Sequence, residues 1–415
     1  MRGLLRHPGF AAFIGANVLE RFASSALTVL LGFQVYELTR NPLDLGWLGL
    51  AEAVPGVTLV LYGGHVADRH RRRRIVLVTT VLLAVLALGL ALASGTGHVL
   101  LTLFVAAFLT GAVNAFEGPA ASGLEAHVVP LARLVPGLAL LATTGRLANV
   151  LGPVAGGFAW AAVGPRGTYM ALAALFAVSA LAMLGVPEPP VPAAQAGVSA
   201  WRSIRDGVAY VFRDQLLLGS MALDLFAVFF GGATALLPVF ATDILHVGAE
   251  GFGLLRSAAG AGSFVAALLA ARFLPQRRAG AALHWVIAGF GVSMVVFGLS
   301  RSLPLSLAAL FVAGLCDGIS VVIRRAILRL ASPEAMRGRI AAVKSVFVGS
   351  SNELGAFESG VAASLMGASA AVWSGGLVTL GIVAVTAWRA PRLRRLDLVT
   401  VAQSVTVRQG ARSHL

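Results

Sequence analysis

The sequence predicts an all-α polytopic membrane protein of twelve transmembrane helices arranged as two pseudo-symmetric six-helix halves. Three observations predict it. The chain is 58% hydrophobic and only 12% charged, with a mean hydropathy of +0.85, whereas soluble domains carry about 25% charged residues. Its apolar runs, each about the 20 residues a span needs, divide at polar breaks near 9–37, 44–66, 75–94, 99–124, 134–163, 167–186, 216–243, 251–273, 281–300, 303–329, 340–367 and 369–389. Finally, Leu103-Phe104-Val105-Ala106 recurs as Leu310-Phe311-Val312-Ala313 and Gly111 as Gly318, all at an offset of 207. Weak internal symmetry of this kind is the mark of transporters built from repeated bundles.

The organisation follows in chain order. Span 1 comes after Arg2 and Arg6; its apolar run is too long for a signal-peptide core and lacks a small-residue cleavage site, so it is read as a retained helix carrying Glu20. Spans 2 and 3 are joined by the charged loop Gly64-His65-Val66-Ala67-Asp68-Arg69-His70-Arg71-Arg72-Arg73-Arg74. A carboxylate such as Asp68 at a helix C-terminus meets the negative pole of the macrodipole, so it calls for a cation or for another helix's N-terminus. Span 4 carries Glu117, and span 5 carries Arg146 and then Gly152-Pro153-Val154-Ala155-Gly156-Gly157. Gly152 and Gly156 form a small-residue face for close helix approach, and Pro153 removes a backbone hydrogen bond.

The prolines of 187–192 end the first half, so the expected domains are 1–186, a linker 187–215, 216–389 and a basic tail 390–415. Within the linker, Trp201 to Arg213 alternates apolar and basic residues at helical spacing, as an interfacial amphipathic helix does. Span 7 carries Asp224, span 10 carries Asp317 and Arg324, and span 11 carries Glu353. At the offset of 207, Glu117 maps onto Arg324 and Arg146 onto Glu353, with signs exchanged. Glu117 and Arg146 lie symmetrically about the span 4–5 loop, and Arg324 and Glu353 about the span 10–11 loop. Each half is therefore expected to hold one acid–base pair, since a lone intramembrane charge costs about 2.5–3.5 kcal/mol; these four are open to reading as structural struts or as substrate contacts.

The net charge of +14 has to be placed before it is interpreted. The inner segments hold Arg2, Arg6, Arg69, Arg71 to Arg74, Arg133, Arg202, Arg205, Arg213, Arg272, Arg277, Arg278, Arg337, Arg339 and the tail arginines, whereas the outer loops hold only Arg40, Arg166 and Arg301. This asymmetry predicts both termini in the cytoplasm and a cytoplasmic (inner) membrane protein. Anionic lipid headgroups at the inner face, not nucleic acid, are then the expected partner of the basic surface.

The loop after span 2, read as G-x-x-x-D-R-x-x-R-R, resembles the loop between helices 2 and 3 of the major facilitator superfamily. That resemblance implies a cytoplasmic gate latch, built here from Gly64, Asp68, Arg69 and Arg72, that packs against the second half. It departs at Arg71, where the pattern commonly has glycine. Gly152, Pro153, Gly156 and Gly157 resemble the helix-5 motif of the superfamily's drug:proton antiporters. Asn114 to Pro119, Ser332 to Arg339 and Ser351 to Gly355 are similar to the branch that contains the enterobactin exporter and macrolide efflux pumps.

The resemblance implies export of an amphipathic small molecule, drug or siderophore-like, in exchange for protons, by a functional monomer. Glu20, Glu117, Asp224 and Asp317 fall on spans 1, 4, 7 and 10, which in the superfamily line the central cavity, so they are the proton-coupling candidates. Asp317, near mid-span and without an evident local cation, leads them. No GxxxxGK[ST] loop is present, which excludes an ATP-driven pump. The eight histidines form no HxxxH or HExxH pattern and Cys316 is the only cysteine, so neither an enzyme, a cofactor nor a metal site is expected. A uniporter or an importer of a small metabolite on the same fold is the alternative.

Overall fold

The computed structural model describes residues 7–129, 133–188, 208–231, 233–273, 277–332 and 336–397, without the side chains of 8, 61, 126, 233, 271–273, 331, 337–339, 341–350 and 353. Among them there is no β-strand. The long helices are α1 Pro8–Thr39, α2 Pro42–Arg69, α3 Arg72–Ala93 and α4 Val99–Val128, followed by a helical run Leu134–Leu184 that Gly164 divides into α5 and α6. Then come α7 Gln215–Gly231, α8 Gly248–Phe273, α9 Ala279–Leu299, α10 Leu303–Ala331, α11 Arg337–Met366, α12 Ala368–Arg389 and the short α13 Pro391–Arg394. Ten helices of the described residues are long and apolar enough to cross a membrane. One of them, Leu134–Leu184, holds two spans, and α11, apolar over Leu354–Met366, supplies the remaining one. The fold is thus the expected twelve-span architecture.

Helix ends are set by short-range chemistry. Asn41 caps α2 by accepting from the Leu43 amide at 3.1 Å, with Pro42 in the first turn where its missing N–H costs nothing. Ser302 caps α10 in the same way, again with proline at the start of the helix. Between α5 and α6 the break is one residue wide: Gly164 takes φ 69° and ψ −179°, a conformation that disfavours any side chain, and Pro165 follows. α1 records the resulting fold-back. Along it, Gly152 and Gly156 of α5 meet Phe22 to Leu30 in ascending order, whereas Tyr169 and Ser179 of α6 hydrogen-bond to Gln34 and Ala16 in descending order.

Span 7 departs from the single helix expected over 216–243. α7 stops at Gly231, and the chain continues through a 3₁₀ turn Ala233–Leu236, a helical turn Leu237–Val239 and a π-turn Phe240–Ile244. Pro238 explains the irregularity, because it can neither donate to the preceding turn nor avoid its carbonyl.

The chain resolves into two compact units, one formed by 1–196 with 235–257 and the other by 197–234 with 258–415. In the first, a core of Phe10, Phe13, Ile14, Val76, Leu124, Leu141 and Met183 ties α1 to α3, α4, α5 and α6. The segment 235–257 is fastened to this unit at two points, Asp243 and Ser257. Tyr36 donates to Asp243, Arg40 pairs with Asp243 at 2.7 Å, and Ser257 donates to the Val150 carbonyl at 2.6 Å. In the second unit, Leu223, Leu283, Ile287, Ile323, Ile327 and Leu393 form the core. Of the linker helix expected over 201–213, residues 208–213 are helical and the rest lie outside the described residues, as does the tail beyond 397.

The Gly-Pro motif of α5 serves two faces within the first unit. A Cβ on Gly152 would stand 2.5 Å from the Phe22 carbonyl oxygen of α1, and a Cβ on Gly253 of α8 would stand 2.5 Å from the Pro153 carbonyl oxygen. Gly152→Ala is therefore expected to cost about 1–3 kcal/mol through overpacking. Gly89→Ala, where nothing lies within 4 Å, should leave the midpoint of thermal unfolding in detergent unchanged.

Candidate functional site

The titratable residues named from the sequence gather into two separate clusters, one in each unit. In the second unit the centre is Arg324 of α10, which is 7% exposed. Asp317, Ser320 and Arg324 are three and four residues apart and so share one face of α10. The long arginine side chain leans back toward the helix N-terminus. Its Nε donates to the Ser320 hydroxyl at 3.0 Å, one terminal nitrogen pairs with Asp224 of α7, and the other lies 3.6 Å from Asp317. Asp224 is buried with it, whereas the Asp317 side chain is 43% exposed. Beside the cluster, Asp224, Asp317, Ser320, Arg324, Cys316, Ile287 and Phe290 line a cavity of about 20 Å³, and about 10–15 Å³ suffices for one water.

Asp317 therefore has a cation, contrary to the expectation from its surroundings in sequence. The counter-charge sits two turns along the same helix face, a separation at which only a side chain of arginine's length can reach back. The chemistry is asymmetric: two carboxylates share one guanidinium. With both acids ionised the cluster carries one excess negative charge in a low-dielectric setting, and one proton neutralises it. The expected partner of Arg324, Glu353, has its side chain outside the described residues.

In the first unit a cation stands at Arg21 of α1, next to Glu20 in the sequence. Arg21 donates to Asn17 at 2.9 Å and reaches Glu125 of α4 at 3.7 Å. It runs along Gly145 of α5, where a Cβ would stand 3.2 Å from the Arg21 Cδ. Glu20 accepts from Ser24 at 2.6 Å. Glu117 is 8% exposed, its Oε2 has no hydrogen-bond partner among the described residues, and the charges acting on it are Glu20 and Arg21. The pairing of Glu117 with Arg146 expected across the α4–α5 connection stays a proposal. α5 packs along α1, which brings Arg21 against Gly145, the residue before Arg146. The signal available in sequence was the Asn17, Arg21 spacing of four inside an apolar run, one helical face carrying a cation and its acceptor.

At the arginine-rich loop, Asp68 is 76% exposed and lies 3.7 Å from Arg72. Arg72 also donates to the Ala67 and Gly123 carbonyls at 3.3 and 3.2 Å, which ties the loop to α4. Arg71 pairs with Glu188 at 3.3 Å, and Arg73 donates to the Leu184 carbonyl at 3.0 Å. Arg69 is exposed. Gly64 faces open space, whereas a Cβ on its neighbour Gly63 would collide with the Ala115 and Phe116 backbone of α4. The glycine needed for close approach is thus the one before the residue singled out.

A family model described as Major Facilitator Superfamily matches residues 13–299. Among relatives, the enterobactin exporter EntS of Citrobacter koseri is 25% identical over 386 residues, 92% of each chain. EntS of Shigella flexneri is 25% identical over 341 residues, covering 81% of this chain and 80% of its own. A POT family transporter solved in complex with 5-aminolevulinic acid superposes with a TM-score of 0.74 at 13% identity, covering 93% of this chain and 96% of that one. A D-xylose-proton symporter gives a TM-score of 0.70 at 14% identity, covering 91% of this chain and 96% of that one. At such identities the structural likeness is one of fold.

Arg324→Gln should leave Asp224 and Asp317 without their cation and cost about 3–5 kcal/mol. Adding Asp224→Asn to Arg324→Gln removes the stranded buried charge and should recover most of that loss, read as the thermal unfolding midpoint of the three proteins in one detergent.

Proposed function

Because the chain belongs to the major facilitator superfamily, it is a multi-pass membrane transporter and not an enzyme, and from that premise we propose that it exports an amphipathic small molecule by proton antiport. The observation that carries the reading is the sharing of Arg324 by Asp224 and Asp317 beside a water-sized cavity. Two acids on one guanidinium can hold or release a proton without leaving the arginine unpaired. Asp317 is the more exposed acid, so it is assigned the exchangeable proton, and Asp224 keeps the cation in place. Glu20 and Glu117, with Arg21 acting on Glu117, are the corresponding acidic pair of the first unit.

Likeness to enterobactin exporters over most of the chain supports export and a siderophore-like or drug-like substrate. Transport proceeds by alternating access of the bundles 1–186 and 216–389 joined by the linker 187–215. Asp68, Arg69 and Arg72 act as the cytoplasmic latch, and the exposed Asp68 carboxylate supports that assignment. Both termini, including the basic tail 390–415, are cytoplasmic on the arginine asymmetry. The transporter works as a monomer, without a cofactor.

The test is proton flux in proteoliposomes under an imposed pH gradient, with enterobactin, macrolides and lipophilic dyes offered in turn. Substrate-evoked proton movement is expected, and Asp317→Asn should lower it at least tenfold while the protein stays folded. Substrate movement without proton movement replaces antiport by uniport, and full coupling in Asp317→Asn removes Asp317 from the proton path.

A further inference from the structure

On the first unit, α2, α3 and α4 enclose a groove of about 670 Å³, within the roughly 300–1,000 Å³ of small-molecule sites. Its composition is divided along its length. At one end stand Arg69, His70, Arg71 and Arg74; the remainder is apolar, running past Val78 and Leu82 of α3 and Leu109, Val113 and Phe116 of α4. Arg74, Val78 and Leu82 are spaced by four and form a single stripe on α3. That stripe is about 12 Å long at 1.5 Å per residue, close to the thickness of one leaflet, about half of the 30 Å hydrocarbon core.

The apolar floor is open: Val78 and Leu82 are each 50% exposed. The cations at its mouth are also unusual within their own loop. Arg71, Arg72 and Arg73 have carboxylate or carbonyl partners, whereas Arg69 and Arg74 have no hydrogen bond or ion pair among the described residues. A groove with unpaired guanidiniums at the interfacial end and a leaflet-length apolar trough beneath them is complementary to an anionic amphiphile.

We propose that this groove binds one anionic phospholipid, its phosphate between Arg69 and Arg74 and one acyl chain along Val78, Leu82 and Leu109. The topology reading is needed only to assign the lipid to the cytoplasmic leaflet; binding itself does not depend on sidedness, on the substrate or on proton coupling.

The experiment uses the full chain in a neutral detergent, with bound lipid counted by native mass spectrometry and thermal midpoints measured with added phosphatidylglycerol, phosphatidylcholine or glycerol phosphate. Phosphatidylglycerol is expected to remain bound and to raise the midpoint, and the other two are not. Arg74→Gln should weaken phosphatidylglycerol about fivefold, at about 1 kcal/mol per basic residue. Leu82→Trp, which fills the trough, should abolish the bound lipid, whereas Leu101→Trp, 67% exposed elsewhere on α4, should not. Equal stabilisation by both phospholipids, glycerol phosphate matching the lipid, or bound lipid unaffected by Leu82→Trp would each overturn the proposal. So would a loss of stability in Leu82→Trp that is the same with and without lipid, since the chain itself would then occupy the groove.

Discussion

A guanidinium in a membrane interior survives only where its charge and its donors are met, and Arg324 meets that constraint from two helices. Asp224 comes from α7 while Asp317 and Ser320 come from α10, so both helices are held in register by the ligands of one side chain. The surrounding packing accommodates this contact. Leu223, Ile287, Ile323 and Ile327 belong to the apolar core of the same helices, and the burial of Arg324 and Asp224 raises the cost of leaving either of them unpaired. Burial and pairing are two sides of one arrangement.

The internal repeat gives that arrangement a counterpart of different chemistry. Subtracting 207 from Asp224, Asp317 and Arg324 gives 17, 110 and 117, which are Asn17, Thr110 and Glu117. All three are buried, and both Thr110 Oγ1 and Glu117 Oε2 are without hydrogen-bond partners among the described residues. The cation of the first unit has moved off the repeat position, to Arg21 of α1. One half thus keeps an arginine shared by two acids while the other keeps buried polar atoms without partners among the described residues.

The twelve spans were legible because apolar length and arginine placement are local signals that a bilayer enforces directly. The acids at 20, 117, 224 and 317 were legible for the same reason, since a charge inside an apolar run stands out. Their partners were not. Arg21 of α1, which α5 lies along, reaches Glu125 of α4, a contact between residues more than 100 positions apart. Asp317 looked solitary because its cation stands two turns away. The Tyr36, Arg40, Asp243 contact joins residues more than 200 positions apart, with Asp243 in an irregular turn that no periodicity foretells. Glycine spacing in α5 marked a face of close helix approach, whereas the close approach of Gly63 of α2 to the Ala115 backbone carries no such spacing.

The single-residue break at Gly164 has a consequence for how the protein is made. Spans 5 and 6 have almost no polar connection between them; Arg166 is the only charge at the bend. The pair is built as one hairpin without an intervening loop, its backbone polar groups satisfied within each arm. α1, which both arms embrace, is already synthesised and stands as the template against which the hairpin closes.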